Sequence, residues 1–290
     1  MKILVCDTIQ PEVLEELKKL GEVEYKPEDL MNSVKDAEVM VVRSKTKVTK
    51  EVIDQASKLK AVIRAGVGLD SIDTNYCKEK NIQVINTPHA PTNTVAELGI
   101  GLMICLMRGA YQGHYEMKDG KWLKKELLGT EIQGKTLGIV GFGRIGHSLG
   151  EKAHALGMNV LAYDPHPREC DFAKYVELDE LYSKSDVISL HSILIPETKG
   201  MINKNSIAKM NDGVFIINLA RGELIVEEDL YQGLKDKIAG AALDVYWGEK
   251  YSGKLLELDN VFFTPHIGGN SKEAQLRIGE EVIEAVKKFI

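Results

Sequence analysis

LGIVGFGRIG, residues 137–146, places three glycines, Gly141, Gly143 and Gly146, directly after an apolar run. Glycine weakens strand and helix interiors by about 0.5–1 kcal/mol against alanine, so three within six residues need a reason. The chain continues HSLGEKAHALGMNVLAYD, a helical stretch followed by a second apolar strand that ends on Asp164. A strand, G-x-G-x-x-G, a helix, a second strand and an acidic residue together form the context of a dinucleotide-binding turn. In that reading Gly141 makes the tight turn and Gly143 lets a pyrophosphate approach the backbone. Gly146 lets helix and strand pack closely. The N–H groups of the first helical turn face the negative charge. Asp164 accepts hydrogen bonds from the ribose hydroxyls and repels a 2′-phosphate, which favours NAD over NADP.

Outward from this stretch the chain alternates strands and helices. On the N-terminal side KILVCD, VEYK, AEVMVVR, KAVIRAG and IQVINT read as strands, and PEVLEELKKLG and TKEVIDQASK as helices. On the C-terminal side KTLGIVG, NVLAYD, DVISLH, VFIINLA, AGAALDV and NVFFTP read as strands, with AKYV a weak seventh. Such alternation implies parallel sheets with helices on both faces. TVAE, residues 94–97, fits a capping box with Thr94 as N-cap, opening one apolar helix, LGIGLMICLMRGAY. Its composition suits burial between two domains or subunits. The final residues, ending EEVIEAVKKFI, read as a helix that returns to the first domain. The expected organisation is a substrate-binding domain at 1–91 and 265–290 and a dinucleotide-binding domain at 92–264.

Composition bounds the function. Of 290 residues, 44 % are hydrophobic and 28 % charged, ordinary for a chain that buries a full core. The net charge of −6 argues against electrostatic binding to nucleic acid or anionic membrane. The apolar run at 98–107 is too short to span a bilayer, and MKILVCD lacks the apolar core of a signal peptide. Cys6, Cys77, Cys105 and Cys170 show no C-x-x-C spacing, so no metal site is expected and the setting reads as cytoplasmic.

Functional residues of a doubly wound domain lie just past the carboxyl ends of its strands. Those positions hold His191, Arg221, Asp244 and His266, with Glu249 in the loop after Asp244. An arginine, a histidine and a carboxylate beside a nicotinamide suit oxidation of a 2-hydroxy acid. The arginine fork holds the carboxylate or polarises the carbonyl. The histidine, with an ordinary pKa of about 6.5, carries the hydroxyl proton, and the glutamate orients it. His191 is expected beside the cofactor.

VVRSKTKVT, IRAGVGLDSID, MKDGKWLKKELLGTEIQGKTLGI, INLARGELI, GAALDV and FTPHIGGNSKEA resemble the D-isomer-specific 2-hydroxyacid dehydrogenase family over essentially the whole chain, most of all its phosphoglycerate dehydrogenases. The resemblance implies a Rossmann NAD domain inserted in a flavodoxin-like substrate domain, both α/β. It makes Arg221, Glu249 and His266 the catalytic trio. Arg144, Ile145, Asp164, Ser192, Leu219, Asp244 and Gly269 become cofactor contacts. Gly66 and Val67 bind the substrate carboxylate through backbone N–H groups, and Val67 also approaches the nicotinamide. Arg43, Arg64 and Lys124 supply cations for a phosphorylated substrate.

The expected reaction is NAD-dependent oxidation of 3-phosphoglycerate by a homodimer or higher homo-oligomer. The alternatives are a glyoxylate, hydroxypyruvate or D-lactate type enzyme, and, outside catalysis, an NAD-sensing binding module. Three features depart from the family pattern: Lys250 follows Glu249 where proline is usual, the segment between Glu249 and His266 is short, and Ile193 stands where proline is common. The chain stops at Ile290, so no appended regulatory domain is expected.

Overall fold

A computed structural model describes residues 1–248 and 250–290, which divide into two compact units, Met1–Pro91 with Gly269–Ile290 and Thr92–Gly268. The first unit runs β1 (Lys2–Val5), α1 (Pro11–Leu20), β2 (Glu22–Tyr25), α2 (Leu30–Ser33), β3 (Val39–Val42), α3 (Lys50–Gln55), β4 (Ala61–Arg64), α4 (Thr74–Glu79) and β5 (Gln83–Asn86). Its five parallel strands lie in the order β2-β1-β3-β4-β5. That is the flavodoxin-like order. The period-two side-chain alternation of a strand divides its core. Leu4, Met40, Val42 and Val62 face α3 on one side of the sheet. Ile3, Val5, Val41 and Ile63 share the other side with Val13 and Leu17 of α1. The C-terminal helix Lys272–Lys287 joins that second side through Ile278, Val282 and Val286, and Gly279 lets it sit against Val13.

The second unit runs α5 (Thr92–Met107), α6 (Ala110–Lys118), β6 (Thr136–Val140), α7 (Arg144–Ala155), β7 (Asn159–Tyr163), β8 (Ala173–Tyr175), α8 (Leu178–Lys184), β9 (Val187–Leu190), α9 (Lys204–Lys209), β10 (Val214–Asn218), α10 (Glu227–Asp236), β11 (Ile238–Leu243) and β12 (Val261–Phe263). Its seven parallel strands lie in the order β12-β11-β10-β9-β6-β7-β8. Read from β8, this is the Rossmann order with one strand added at the far edge. Ile139, Val187, Ile217 and Ala242 face α5 and α7, and Ile188, Leu190, Ile216 and Leu243 face the opposite helices.

Two local expectations are corrected. Thr94 does not cap α5, which begins at Thr92, directly after Pro91. Proline suits the entry to a helix, where its missing N–H costs nothing. Glu97 instead accepts from the Asn93 side chain one turn earlier, at 2.6 Å. Nor is the apolar stretch one helix: Gly109, at φ 59°, ends the first and opens α6, and the two are bent by 65°. Among the described residues no single helix is long and apolar enough to cross a membrane.

Candidate active site

The register of the second sheet aligns its strand ends. Val140 pairs with Tyr163 and Leu190, Leu190 with Asn218, Asn218 with Leu243, and Leu243 with Phe263. One residue further on, Asp164, Gly141, His191, Leu219, Asp244 and Thr264 form a single row at the carboxyl edge. Backbone bonds continue into that row: Gly141 donates to Tyr163 and His191 to Val140, each at 2.8 Å, and Asp244 donates to Asn218 and Thr264 to Leu243, each at 3.0 Å. β6 stands between β9 and β7, where the strand order reverses, and a crevice for a ligand opens at such a point.

The three glycines serve different ends. Gly141 sits at φ 91°, and a Cβ there would lie 2.6 Å from the Ser192 nitrogen and 2.7 Å from the His191 carbonyl carbon. A Cβ on buried Gly146 would run into the Gly141 carbonyl oxygen. Around Gly143 the space is open: no atom of the described residues lies within 4 Å of where its Cβ would be. Gly143 is the N-cap of α7 and supplies no side-chain cap, so the N–H groups of Arg144, Ile145 and Gly146 open the helix without a side-chain acceptor. This cradle fits a pyrophosphate. Half-buried Asp164 accepts from Phe142 N–H at 2.8 Å through Oδ2 and from His166 N–H at 2.9 Å through Oδ1. A carboxylate has about four acceptor positions, so those left suit ribose hydroxyls. Asp164 therefore also ties the end of β7 to the glycine turn.

His191 places Nε2 2.8 Å from Ser189 Oγ, while its Nδ1 is sealed from solvent without a hydrogen-bond partner among the described residues. Burial pushes its pKa down to about 4, so the ring is neutral near pH 7 and ill suited to carry the reaction's proton. Ser192 follows at the same strand end. Leu219 turns its side chain onto Gly99 of α5.

Arg221 is presented by a turn that sequence reasoning did not connect to Asn218. Asn218 is fully buried; its side chain accepts from Ala220 N–H at 3.1 Å and donates to the Arg221 carbonyl at 2.8 Å. Arg221 Nη1 donates to the Ala220 carbonyl at 2.6 Å. Gly222 then passes so close to the Tyr246 backbone that a Cβ would collide with it. The asparagine in INLARG, an Asx-turn former on the last residue of a strand, is the signal that could have found this role.

Glu249 lies outside the described residues. On one side of it Trp247 Nε1 donates to the Ile225 carbonyl at 2.8 Å, and on the other Tyr251 donates to Glu227 at 2.5 Å. Lys250, where the family resemblance implies proline, has φ 60°. Proline is held near −65°, so it could not adopt this backbone. His266 is exposed, with φ 53°, and donates its N–H to the Thr264 carbonyl at 3.0 Å. Asp244, by contrast, is buried, and its carboxylate is turned toward the 264–268 segment.

The expected substrate residues of the first unit also gather at strand ends. Buried Asp7, beyond β1, accepts from Arg43 N–H at 2.5 Å and from the Thr46 hydroxyl at 2.9 Å, fixing the turn after β3. Arg43 Nη1 reaches the Thr8 carbonyl at 3.2 Å. Arg64 Nη1 donates to the Ala65 carbonyl at 2.5 Å, and its guanidinium covers Gly66 so closely that a Cβ there would strike it. Gly66, at φ 146°, donates its own N–H to the Arg64 carbonyl at 2.8 Å. Of the two N–H groups expected to hold a substrate carboxylate, the one on Gly66 is thus already engaged within its turn. The Asn86 side chain holds the Val67 carbonyl at 2.7 Å. The Gly269 carbonyl accepts from Gln275 at 3.1 Å. Lys124 is exposed, in the second unit, in the segment after α6.

Comparison with known proteins agrees with this architecture. Residues 100–268 match the model of the D-isomer specific 2-hydroxyacid dehydrogenase, NAD binding domain. The chain is 45 % identical to a hydroxypyruvate reductase of Thermotoga maritima, covering 99 % of this chain and 97 % of that one. It is 44 % identical to a D-3-phosphoglycerate dehydrogenase of Methanocaldococcus jannaschii, covering 100 % of this chain but only 57 % of that relative. Among solved structures, a D-lactate dehydrogenase from Aquifex aeolicus, complexed with NAD and lactic acid, superposes with a TM-score of 0.90 at 33 % identity, covering 100 % of this chain and 95 % of that one. The chain therefore belongs to the D-isomer specific 2-hydroxyacid dehydrogenase family and is an NAD-dependent D-2-hydroxyacid dehydrogenase.

Proposed function

We propose that the chain interconverts D-3-phosphoglycerate and 3-phosphohydroxypyruvate with NAD. The observation that carries this reading is the placement of Arg43 and Arg64 at the carboxyl ends of adjacent strands, β3 and β4, beside the Gly66–Val67 turn. Two guanidinium groups there suit a substrate that bears both a carboxylate and a phosphate.

Bound nicotinamide supplies the acceptor for the hydride that leaves C2. His266 takes the C2 hydroxyl proton on oxidation and returns it on reduction. Arg221 holds the carboxylate or the developing carbonyl, and Glu249 stabilises the charged imidazole. Asp164 and the Gly141–Gly146 turn bind the dinucleotide. Arg144, Ile145, His191, Ser192 and Leu219 complete the cofactor surface of the second unit; in the first unit Val67 and Gly269 are the expected cofactor contacts, and Lys124 is a further cation for a phosphorylated substrate. A homodimer is the expected assembly; the exposed apolar side chains Tyr115, Met117, Trp122 and Leu128 support self-association.

A second reading, reduction of hydroxypyruvate without a phosphate, is favoured by the Thermotoga maritima relative, which matches over nearly its whole length. The two substrates differ by one phosphate. The test is a panel of phosphorylated and unphosphorylated 2-hydroxy and 2-oxo acids with NAD(H) and NADP(H), run on the native chain and on Arg43→Ala. The phosphorylated pair should have the higher kcat/KM, and Arg43→Ala should cost it about 1.5–3 kcal/mol, the range for hydrogen bonds to charged groups. Equal losses on both classes would remove Arg43 from phosphate recognition and favour the second reading. Absence of turnover on the whole panel would remove both readings and point to a different 2-hydroxy acid.

A further inference from the structure

His266 adopts a left-handed backbone conformation, φ 53°, that a side chain with a Cβ seldom takes. Such a conformation persists only where the surroundings over-determine it. Here the surroundings converge on one carboxylate. Asp244 Oδ1 accepts from the Thr264 hydroxyl at 2.7 Å and from Ile267 N–H at 2.8 Å, and Oδ2 accepts from Gly268 N–H at 2.8 Å. The three donors flank His266 on both sides. Asp244 is 1 % exposed and is itself fixed in the sheet, its N–H donating to Asn218 at 3.0 Å. The Tyr246 hydroxyl lies 2.7 Å from the Thr264 carbonyl oxygen. Gly268 belongs to the device as well: a Cβ there would lie 2.9 Å from Oδ2 and would push the carboxylate away.

We propose that Asp244 is a positioning residue for His266, holding the turn on either side of it so that the imidazole is presented in one orientation. The inference rests on His266 as the proton carrier. It is additional to the cofactor contact that family resemblance implies for Asp244. Three of the roughly four acceptor positions of its carboxylate already serve the turn.

The isostere Asp244→Asn separates these roles. Its amide puts a donor where one oxygen faced an N–H or hydroxyl donor, so at least one of the three bonds is lost. In the protein without NAD, exchange of the Ile267 and Gly268 amides should accelerate by about tenfold or more as the turn opens locally. With NAD and substrate, kcat should fall by about 10–100-fold, the scale of a misplaced reacting group, and NAD affinity by much less. Thr264→Ser should retain kcat and slow amide exchange; Thr264→Val should lose both, and it tests the same turn if the asparagine variant fails to fold.

The double variant Asp244→Asn/His266→Gln should turn over no more slowly than His266→Gln alone. Losses that multiply in the double variant, or an NAD affinity that falls in step with kcat/KM, would overturn the proposal, as would amide exchange left at its native rate. Native turnover in His266→Gln would instead overturn the proton-carrier reading. The exchange rates would still decide whether Asp244 holds the turn.

Discussion

Gly141 and Gly143 stand two residues apart in one motif, yet alanine should do opposite things to them. At Gly141 the added methyl carbon falls 2.6 Å from the Ser192 nitrogen and 2.8 Å from the His191 carbonyl oxygen. Comfortable non-bonded separations are about 3.5–4.0 Å, so the end of β9 must move by about 1 Å. It is not free to do so, because His191 N–H is bonded to Val140 at 2.8 Å. Overpacking costs about 1–3 kcal/mol and a left-handed backbone about 1–2 kcal/mol, so Gly141→Ala should lose roughly 2–5 kcal/mol. That is a large share of the 5–15 kcal/mol, roughly, that holds a domain together.

Gly143, in contrast, has φ −74° and no atom of the described residues within 4 Å of its Cβ position. Alanine there should leave stability intact or raise it by about 0.4–1 kcal/mol through the unfolded chain. Its methyl, however, would occupy the approach of the pyrophosphate, and NAD affinity should fall at least about tenfold, or 1.4 kcal/mol. Urea unfolding without NAD, followed by circular dichroism and tryptophan fluorescence, measures the first effect; an NAD titration measures the second. Equal destabilisation of the two variants, or native NAD affinity in Gly143→Ala, would refute this division of labour.

Asp164→Ala should weaken NAD about tenfold and relax discrimination against NADP, and should also cost about 1–3 kcal/mol of stability because the buried Phe142 N–H loses its acceptor; an unchanged NAD/NADP preference removes its ribose role. His266→Ala should lower turnover by roughly 10²–10⁴-fold with NAD binding retained, and Glu249→Gln should shift the pH profile of turnover; near-native rates in the first count against the proton-carrier assignment, and an unmoved profile in the second against the glutamate. His191 has a folded pKa of about 4, below its unfolded value of about 6.5, so the unfolded chain takes up its proton first. Its contribution is therefore fully present above pH 6.5 and is lost as pH falls toward 4, and urea midpoints of native protein and His191→Asn at pH 7 and 4.5 should converge at the lower pH. A gap that stays constant would mean that the ring is not held neutral.

The strand ends were legible because apolar runs stop where side chains leave the sheet. The residue after each run is thereby marked for the functional edge. The glycine motif was legible because its spacing reflects three separate steric demands. Short elements escaped. α2 buries no residue and α4 only Cys77, too few for a helical period to register, though each begins with an aspartate cap, Asp29 and Asp73, that accepts a backbone N–H. Thr94 misled because a capping box is a local pattern, and the helix entry was decided by Pro91 three residues earlier. Asp7, Asn218 and Asp244 were harder still. Asp7 and Asp244 are buried to fix the turn of another segment, and no local spacing announces a partner tens of residues away; Asn218 fixes its own turn, and only its residue type marks it.

The discontinuity of the first unit has a consequence for biosynthesis. Its sheet shares a core with residues 278–286, so Ile3 and Val5 at the start of the chain wait for side chains about 270 positions later. The second unit is contiguous, Thr92–Gly268, and the chain completes it before the C-terminal helix. Ribosomes add about 5–20 residues per second and domains fold in the order they are completed. The dinucleotide-binding unit can therefore close while the N-terminal sheet still exposes the flank that the C-terminal helix will cover. The earliest strands synthesised are thus among the last to be sealed, and a ribosome that stalls just after Gly268 leaves them in that unsealed state.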